Sequence, residues 1–245
     1  MDDQLSLSLT GDVSRLPRSL RPMLAKPADA PFDSDEHVFE PSWGGRRALA
    51  FIEPDRSDGR ARLRLLDEMG RDMAAHLPEL TSTIPDLVGD LPAILDGELV
   101  MPDRGGRMDT DALAARLAGG PTPGFSPVFL VFDLLWAAGM PVIARPLIRR
   151  REHLARIVSP SAELVVVPGV VRDGVDLFFA VAQQGLRGVT ARQLRSPYLP
   201  GRRSDLWRWI PTRPGEVPLH IVPDQSDAPI GRPVLALIQR LPLED

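Results

Sequence analysis

The 245-residue sequence contains no cysteine, which excludes disulfides, thiol catalysis and every thiolate metal site. Its four histidines are too scattered to predict a metal site, so any metal would need carboxylate ligands. They are His37, His76, His153 and His220. No apolar segment reaches the roughly 20 residues that a membrane-spanning helix needs, and the polar residues 1–14 do not resemble a leader. We therefore expect no membrane segment and a cytoplasmic location.

Lysine is almost as scarce as cysteine. Lys26 is the only lysine, whereas the sequence contains 28 arginines. The net charge of −4 argues against a protein whose whole surface binds nucleic acid. The charge is uneven, however, with −8 over residues 1–120 and +4 over residues 121–245. Between Arg187 and Arg213 there are seven arginines and one acid, Asp205. This segment predicts either an arginine-rich edge that contacts phosphates or an ordinary solvated strand.

Hydrophobic periodicity predicts an α+β domain with mainly antiparallel sheets. Apolar or alternating segments predict strands at residues 47–53, 62–66, 93–101, 128–136, 164–171 and 188–194. Helical spacing predicts helices at residues 72–87, 109–117, 146–157 and 175–184. Proline and glycine predict a loop at residues 119–127 and a turn-rich tail at 211–233, before a short apolar segment at 234–241.

Five local patterns follow one another in a fixed order. They are Glu-Pro-Ser-Trp-Gly-Gly-Arg-Arg-Ala at 40–48, Leu-Asp-Gly-Glu-Leu-Val at 95–100, Phe-Asp-Leu-Leu-Trp at 132–136, Leu-Arg-Gly-Val-Thr-Ala-Arg at 186–192, and Ser-Pro-Tyr-Leu-Pro-Gly-Arg-Arg-Ser at 196–204 leading to Trp-Arg-Trp-Ile-Pro at 207–211. Together they resemble the adenylation domain of ATP-dependent DNA ligases, most closely the bacterial end-joining type. The resemblance covers residues 21–211, and five patterns in register are far more specific than one.

The resemblance implies a nucleotidyltransferase adenylation-domain fold, which is α+β with two antiparallel sheets, flanking helices and a central groove. It divides the chain into an N-terminal extension at 1–20, a ligase-like adenylation domain at 21–211 and a short tail at 212–245. In these ligases an OB-fold domain follows the adenylation domain. A five-stranded barrel cannot be built from 34 residues, so we expect that domain to be absent or supplied by another chain, unless the chain is a fragment.

In this family a lysine becomes covalently linked to AMP, which then passes to a DNA 5′-phosphate. Ser42 occupies the position of that lysine, and its hydroxyl has no histidine near it in sequence to act as a base. A seryl-AMP would be an ordinary phosphodiester without the high transfer potential of a phosphoramidate. Lys26, 16 residues upstream, is not an obvious substitute. The resemblance therefore implies a pseudoenzyme with no catalytic residue in this position.

Four more motif positions are altered, all on the side of the site that handles phosphate and metal. Gly44 replaces an aspartate, and Arg187 replaces a metal-binding glutamate. Trp209 and Pro211 replace two lysines that handle phosphate. Since an arginine repels a magnesium ion, which needs oxygen ligands, we expect neither Mg²⁺ nor any other metal.

The positions that handle adenosine in the family are largely retained. Glu40 matches the residue that contacts the adenine amino group, and Phe132 matches the ring that stacks on the base. Arg47 and Glu98 match residues near the ribose. The resemblance thus implies a pocket for ATP or another adenine nucleotide. Phe132 on an apolar strand is also typical of a core residue, and Arg47 could pair with Glu98 for purely structural reasons.

Contact with DNA is expected to be weak and to depend on the arginine-rich edge. Its candidate residues are Arg195, Arg202, Arg203 and Arg208. The family's Ser-Arg-Asn-Gly segment is replaced by Asp-Glu-Met-Gly at 67–70, which would repel phosphates. Three functions remain open. In the first, the chain is an inactive ligase-like protein with a nucleotide pocket and a DNA-repair role that includes a repair-protein partner. In the second, it is an enzyme that uses Lys26 or a residue of another chain. In the third, it is a pure protein-interaction module.

Overall fold

The computed structural model describes residues 16–54, 60–120 and 124–213. The strands are β1 Leu24–Pro27, β2 Ser34–Ser42, β3 Arg46–Pro54, β4 Ala61–Leu66, β5 Ala93–Val100, β6 Val128–Ala137, β7 Met140–Pro141, β8 Leu164–Val166, β9 Val170–Arg172, β10 Gly188–Gln193 and β11 Arg203–Pro211. The α-helices are α1 Pro78–Thr83, α2 Thr110–Leu117, α3 Leu147–Ile157 and α4 Gly174–Gln183. Two short 3₁₀ helices, Ala74–His76 and Ile84–Leu87, flank α1.

The strands form two sheets. Sheet A has the order β1-β11-β10-β2-β9, and sheet B has the order β4-β3-β5-β6-β7, with β8 also paired to β6. All pairings are antiparallel except those of β1 with β11 and of β6 with β8. The prediction of an α+β domain with mainly antiparallel sheets is therefore confirmed.

Two hydrophobic clusters explain how the sheets and helices pack. One cluster joins side chains of both sheets, among them Ile94 on β5 and Trp207 on β11. The other cluster packs the opposite face of sheet B against the helices, and it includes Leu95 on β5 and Leu154 on α3. Because successive strand residues point to opposite faces, β5 is apolar along most of its length and buries both faces.

The structure corrects two of the predicted elements. The single helix predicted at 72–87 is broken into α1 and the two 3₁₀ helices, since Pro78 is the first residue of α1 and Pro85 is the second residue of the second 3₁₀ helix. The strand predicted at 164–171 is divided between sheets, because Pro168 and Gly169 separate β8 from β9. The apolar segment at 234–241 and most of the tail lie outside the described residues.

Four strands were absent from the sequence prediction: the two-residue β7 of sheet B, and β1, β2 and β11. β1 is only four residues long, and β2 and β11 carry charged residues and prolines within the strand. All three belong to sheet A, and they carry several of the side chains described below. Across the described ranges, no helix has both the length and the apolar character needed to cross a membrane.

Candidate functional site

A groove lies between the two sheets, and its remaining cavity has a volume of about 50 Å³. Ligand-binding pockets usually measure roughly 300–1,000 Å³, so this groove is largely filled by its own side chains. The cavity is lined by Ala25, Ser42, Gly44, Gly45, Arg47, Glu98, Phe132, Arg187, Thr190, Arg192, Trp207 and Trp209.

The register of sheet A explains why residues distant in sequence meet on the groove face. Ser42 on β2 lies opposite Gly188 on β10, and Thr190 lies opposite both Glu40 and Trp209. Arg192 lies opposite Trp207 on β11. Directly opposed residues point to the same face of a sheet, and so do residues two apart along a strand. Alternate residues of β2, β10 and β11 therefore line one wall.

Ser42 lies at the end of β2 on this wall, and its hydroxyl makes no hydrogen bond to any residue in the described part of the chain. Lys26 is on β1, with β11 and β10 between it and β2. Three strand spacings amount to about 14 Å. The ammonium of Lys26 is half-exposed, lies 3.6 Å from the carboxylate of Asp205, and is not part of the groove lining.

Glu40 is buried and held by two arginines. Its Oε1 accepts a hydrogen bond from Arg151 on α3, and its Oε2 accepts one from Arg192. Arg151 also donates to the backbone carbonyls of Phe132, at 3.2 Å, and Val167, at 2.8 Å. Burial lowers the pKa of Arg151 to about 10 and that of Arg192 to about 9, so both remain cationic at neutral pH. This group of three side chains carries one net positive charge.

The ring of Phe132 is covered by guanidinium groups. The Cζ atom of Arg192 lies 3.9 Å from the ring centroid, and that of Arg47 lies 4.7 Å from it. Trp207 packs edge-on, with ring centroids 6.4 Å apart. A cation over an aromatic face is attracted by the ring quadrupole. Arg192 therefore covers one face of the Phe132 ring.

Arg47 and Glu98 lie opposite each other on β3 and β5, but their side chains have different partners. Arg47 binds the carboxylate of Asp96 through two hydrogen bonds of 2.6 Å. Glu98 accepts backbone N–H groups of Gly45, at 2.5 Å, and Trp43, at 3.4 Å. The suggested structural pair of Arg47 with Glu98 is thus replaced by two separate contacts.

Glu98 holds the turn between β2 and β3 against sheet B. Burial raises the pKa of its carboxyl, and the backbone donors of the turn oppose that rise. Gly44 in this turn has φ +81°, a conformation that strains any residue with a Cβ. A Cβ on Gly45 would lie 2.2 Å from the carbonyl oxygen of Leu99. The two glycines therefore allow the turn between β2 and β3 to lie against the end of β5.

Asp96 is the centre of a buried polar network. Besides its two bonds to Arg47, it accepts a hydrogen bond of 2.7 Å from the hydroxyl of Tyr198. That hydroxyl accepts a bond of 2.9 Å from the backbone N–H of Met23. Burial raises the pKa of Tyr198 well above its usual value, and the nearby charge of Asp96 raises it further. The network joins the segment before β1 to sheet B.

The remaining altered motif positions are arranged as follows. Arg187 lines the groove, is half-buried, and forms no ion pair within the described ranges. Trp209 is buried and fills part of the groove. Pro211 ends β11 opposite Gly188 and does not contribute to the lining. No group of three or more histidine, aspartate or glutamate side chains suited to a metal ion occurs among residues 16–54, 60–120 and 124–213.

The arginine-rich edge is divided between two places. Arg195 follows β10, and Arg202 and Arg203 lie where β11 begins, so all three are exposed around one hairpin connection. Arg208 alternates with Trp207 and Trp209 and therefore points away from the groove. Both acids at 67–70 have partners in the fold, because Asp67 accepts the backbone N–H groups of Met69 and Arg71, and Glu68 pairs with Arg46.

Sequence reasoning did not identify Arg151, Arg192 or Trp207 as groove residues. Arg192 lies in the fourth pattern, and its spacing of two from Thr190 was a usable signal for a shared strand face. Trp207 precedes Trp209 by the same spacing. Arg151 carried no such signal, because it is one of three successive arginines on a helix.

Two facing sheets with flanking helices and a groove between them are the architecture expected of a nucleotidyltransferase adenylation domain. A family model described as the ATP dependent DNA ligase domain matches residues 22–210. The chain belongs to this family, as an adenylation domain of the bacterial end-joining type.

Two relatives show how the chain corresponds to longer proteins. The chain is 26% identical over 189 residues to the SPbeta prophage-derived DNA ligase-like protein LigB of Bacillus subtilis, covering 76% of this chain and 65% of LigB. It is 33% identical over 192 residues to the multifunctional non-homologous end joining DNA repair protein LigD of Mycobacterium tuberculosis, covering 77% of this chain and 23% of LigD.

A solved structure of mycobacterial DNA ligase D complexed with ATP and MES matches with a TM-score of 0.65 and 29% identity. The match covers 80% of this chain and 62% of that one. The expected nucleotidyltransferase fold is thereby confirmed. The chain spans less than two thirds of LigB and about a quarter of LigD, so it corresponds to one part of these longer proteins.

Proposed function

We propose that this member of the ligase family does not form a lysyl-AMP intermediate and acts as a binding protein in DNA repair. The proposal rests on the distance of the lysine side chain from the groove. Ser42 stands on the groove wall, while Lys26 pairs with Asp205 at the far edge of sheet A. A serine without a neighbouring base is a poor nucleophile.

The phosphate side of the groove supports the same proposal. Arg187 adds a positive charge where a magnesium ion would have to bind, and Trp209 occupies space there. Hard cations need oxygen ligands, and a nearby guanidinium repels them. Loss of the nucleophile, the metal ligand and the phosphate-binding lysines together leaves no route to adenylation through this groove.

The test is incubation of the protein with α-labelled ATP and magnesium, followed by denaturing electrophoresis. We expect no label on the protein, with an active ATP-dependent DNA ligase as the positive control. The alternative of residual activity predicts a stable lysine-linked adduct. If label appears on the wild type and is lost in Lys26→Ala, that alternative replaces our proposal.

We further propose that the exposed arginines around the β10–β11 connection bind the DNA backbone. Arg202 and Arg203 are exposed there, and arginines that neutralise phosphates release counterions. Replacing both by alanine should reduce the slope of log affinity against log salt by about 2 for duplex DNA. Arg149→Ala is the matched control, because this exposed arginine lies on α3 and pairs with Glu152.

Fluorescence anisotropy over a salt series measures this slope. Equal slopes for the wild type and the Arg202→Ala, Arg203→Ala double variant would exclude DNA binding through this edge. Absence of any binding to DNA or nucleotide would favour the pure protein-interaction module.

A pull-down with end-joining repair proteins then tests the proposed repair partner directly.

Binding of an adenine nucleotide is the second candidate function. It is favoured because three of the retained adenosine positions, Arg47, Glu98 and Phe132, line the same groove, and Glu40 lies at its edge on β2. A nucleotide would first have to displace Arg192 from Phe132. Calorimetry with ATP, ADP and AMP tests this candidate, and a groove that stays closed gives no heat with any of them.

A further inference from the structure

The helix α4 carries apolar residues on its solvent side as well as on its core side. On the core side Leu177 and Val181 are buried, where the helix packs against β2, β9 and β10. On the solvent side Phe179 is 56% exposed. A surface helix usually has polar residues on this side. The apolar residues here form an outer stripe at positions i, i+3, i+4 and i+7, which are Val175, Phe178, Phe179 and Ala182.

The outer stripe lies on the opposite side of sheet A from the groove. Glu40 and Ser42 belong to the groove wall, and because successive strand residues alternate, Phe39 points to the other face. A Cβ on Gly174, the first residue of α4, would lie 2.4 Å from the ring of Phe39. The helix therefore covers the outer face of the sheet, and a segment docked on the outer stripe does not enter the groove.

The described residues end beside the C-terminal end of α4. Leu186 follows the helix, and its backbone N–H donates to the carbonyl oxygen of Val181 at 3.1 Å. The hydroxyl of Thr212 donates to the carbonyl oxygen of Leu186 at 2.6 Å. The backbone N–H of Thr212 donates to the carbonyl oxygen of Arg187 at 3.0 Å. The segment that follows Arg213 therefore begins close to the outer stripe.

Residues 234–241, which lie outside the described residues, repeat the spacing of the outer stripe. The sequence places Pro233 directly before this segment and Pro242 directly after it, at positions where proline often bounds a helix. A helix of eight residues is not stable alone in water, so it needs a surface to pack on. The apolar residues at i, i+3, i+4 and i+7 of this segment are Val234, Leu237, Ile238 and Leu241.

The two patterns match in an antiparallel alignment. The spacing i, i+3, i+4, i+7 reads the same in both directions, so residues 175, 178, 179 and 182 fall opposite 241, 238, 237 and 234. The same alignment places Arg240, the only charged residue of 234–241, opposite Asp176, the only charged residue of α4. Asp176 is exposed. In a parallel alignment Arg240 would instead fall opposite the buried Val181.

We propose that residues 234–241 form a helix that packs antiparallel on the outer stripe of α4 in the same molecule, with Arg240 paired to Asp176. The connecting residues 214–233 can span up to about 66 Å, whereas α4 is only about 15 Å long. A tether of this length gives the segment a high effective concentration at α4. The proposal does not rest on the proposed function, since it uses no residue of the groove lining or of the arginine-rich edge.

The first experiment introduces pairs of cysteines into the full chain, whose sequence contains none. A disulfide needs Cβ atoms about 3.5–4.5 Å apart, so its rate of formation reports direct packing. In oxidised glutathione, Ala182→Cys with Val234→Cys should cross-link within one molecule about tenfold faster than Ile148→Cys with Val234→Cys. Ile148 is the matched control, because it is an exposed apolar residue on α3.

Non-reducing electrophoresis separates cross-links within one molecule from those between two. Equal rates for the two pairs, or cross-links mainly between molecules, would overturn the docking of this segment on its own α4. Faster cross-linking of Ala182→Cys with Leu241→Cys would overturn the antiparallel alignment. Circular dichroism verifies that each variant is folded.

The second experiment tests the contacts in the protein with cysteines at 182 and 234. Phe179→Asp should slow cross-linking about tenfold, because docking would then bury a carboxylate. Ile148→Asp should leave the rate unchanged. Arg240→Asp should slow cross-linking, and adding Asp176→Arg should restore it, because the pair again has opposite charges. An unchanged rate in Phe179→Asp would contradict the packing, and a failure of the charge exchange to restore the rate would contradict the ion pair.

Discussion

The buried ion pair of Asp133 with Arg150 offers a quantitative test of how α3 is attached to sheet B. Both side chains are fully buried. The guanidinium donates Nε to Oδ1 at 2.8 Å and Nη2 to Oδ2 at 2.7 Å. Its Nη1 donates to the backbone carbonyls of Arg145, at 2.5 Å, and Ser196, at 3.0 Å. Four of the five N–H groups of the guanidinium are thus directed at acceptors.

Removing one partner leaves an uncompensated charge in the core. Asp133→Leu or Arg150→Met should each lower the free energy of unfolding by about 3–5 kcal/mol. A domain is typically stable by only about 5–15 kcal/mol, so the loss is easily measured. Replacing both residues with apolar ones removes both charges, and the double variant Asp133→Leu, Arg150→Met should cost less than either single change.

Urea unfolding at pH 7, followed by circular dichroism, measures all four proteins of this cycle. Arg149→Met is the control, because the exposed pair of Arg149 with Glu152 on the same helix should contribute less than about 1 kcal/mol. Strictly additive single-variant losses, or losses below 1 kcal/mol, would refute the reasoning. Tryptophan fluorescence adds a second readout, since Arg151 next to Arg150 holds Glu40 in the groove.

Three further predictions follow from the site and its surroundings. Ser42→Lys should remain unlabelled by α-labelled ATP, because the groove stays filled; restored labelling would show that the missing amine alone prevents adenylation. Tyr198→Phe should lower the free energy of unfolding by about 1–3 kcal/mol in urea titrations, because the hydroxyl that donates to Asp96 is lost. Burial, and then the charge of Arg208, lower the pKa of His37 below 6.5, so its neutral form is favoured in the fold. Its contribution is present above pH 6.5 and is lost as the pH falls through the folded-state pKa, so His37→Gln should flatten the decline in melting temperature between pH 7 and 5.

Much of sheet B could be predicted from the sequence, because its strands are apolar segments bounded by turns. β5 and β6 are buried on both faces and therefore appear as nearly continuous hydrophobic segments. The helices α2, α3 and α4 were predicted to within two residues at each end. Two prolines, Pro78 and Pro85, interrupt the helical pattern at 72–87, so periodicity alone overestimates the length of the helix.

The strands that form the groove wall were harder to predict for a physical reason. β2 and β11 place polar or aromatic residues on their inner faces, so they do not show the usual alternation of apolar and polar residues. The contacts that fill the groove join Glu40 to Arg192, 152 positions apart. A motif shows which residue types are present, but the partner of a buried charge depends on register across several strands.

The order of strands along the chain has a consequence for how the protein assembles. All six strands of sheet B lie between Arg46 and Val166, whereas sheet A combines β1 and β2 with β9, β10 and β11. Sheet B can fold from one continuous stretch of polypeptide. Sheet A needs partners from both sides of that stretch, and such distant pairings form slowly because a long loop must close first. During synthesis, β2 therefore has no strand partner until β9 and β10 have emerged, and β1 has none until β11 has emerged.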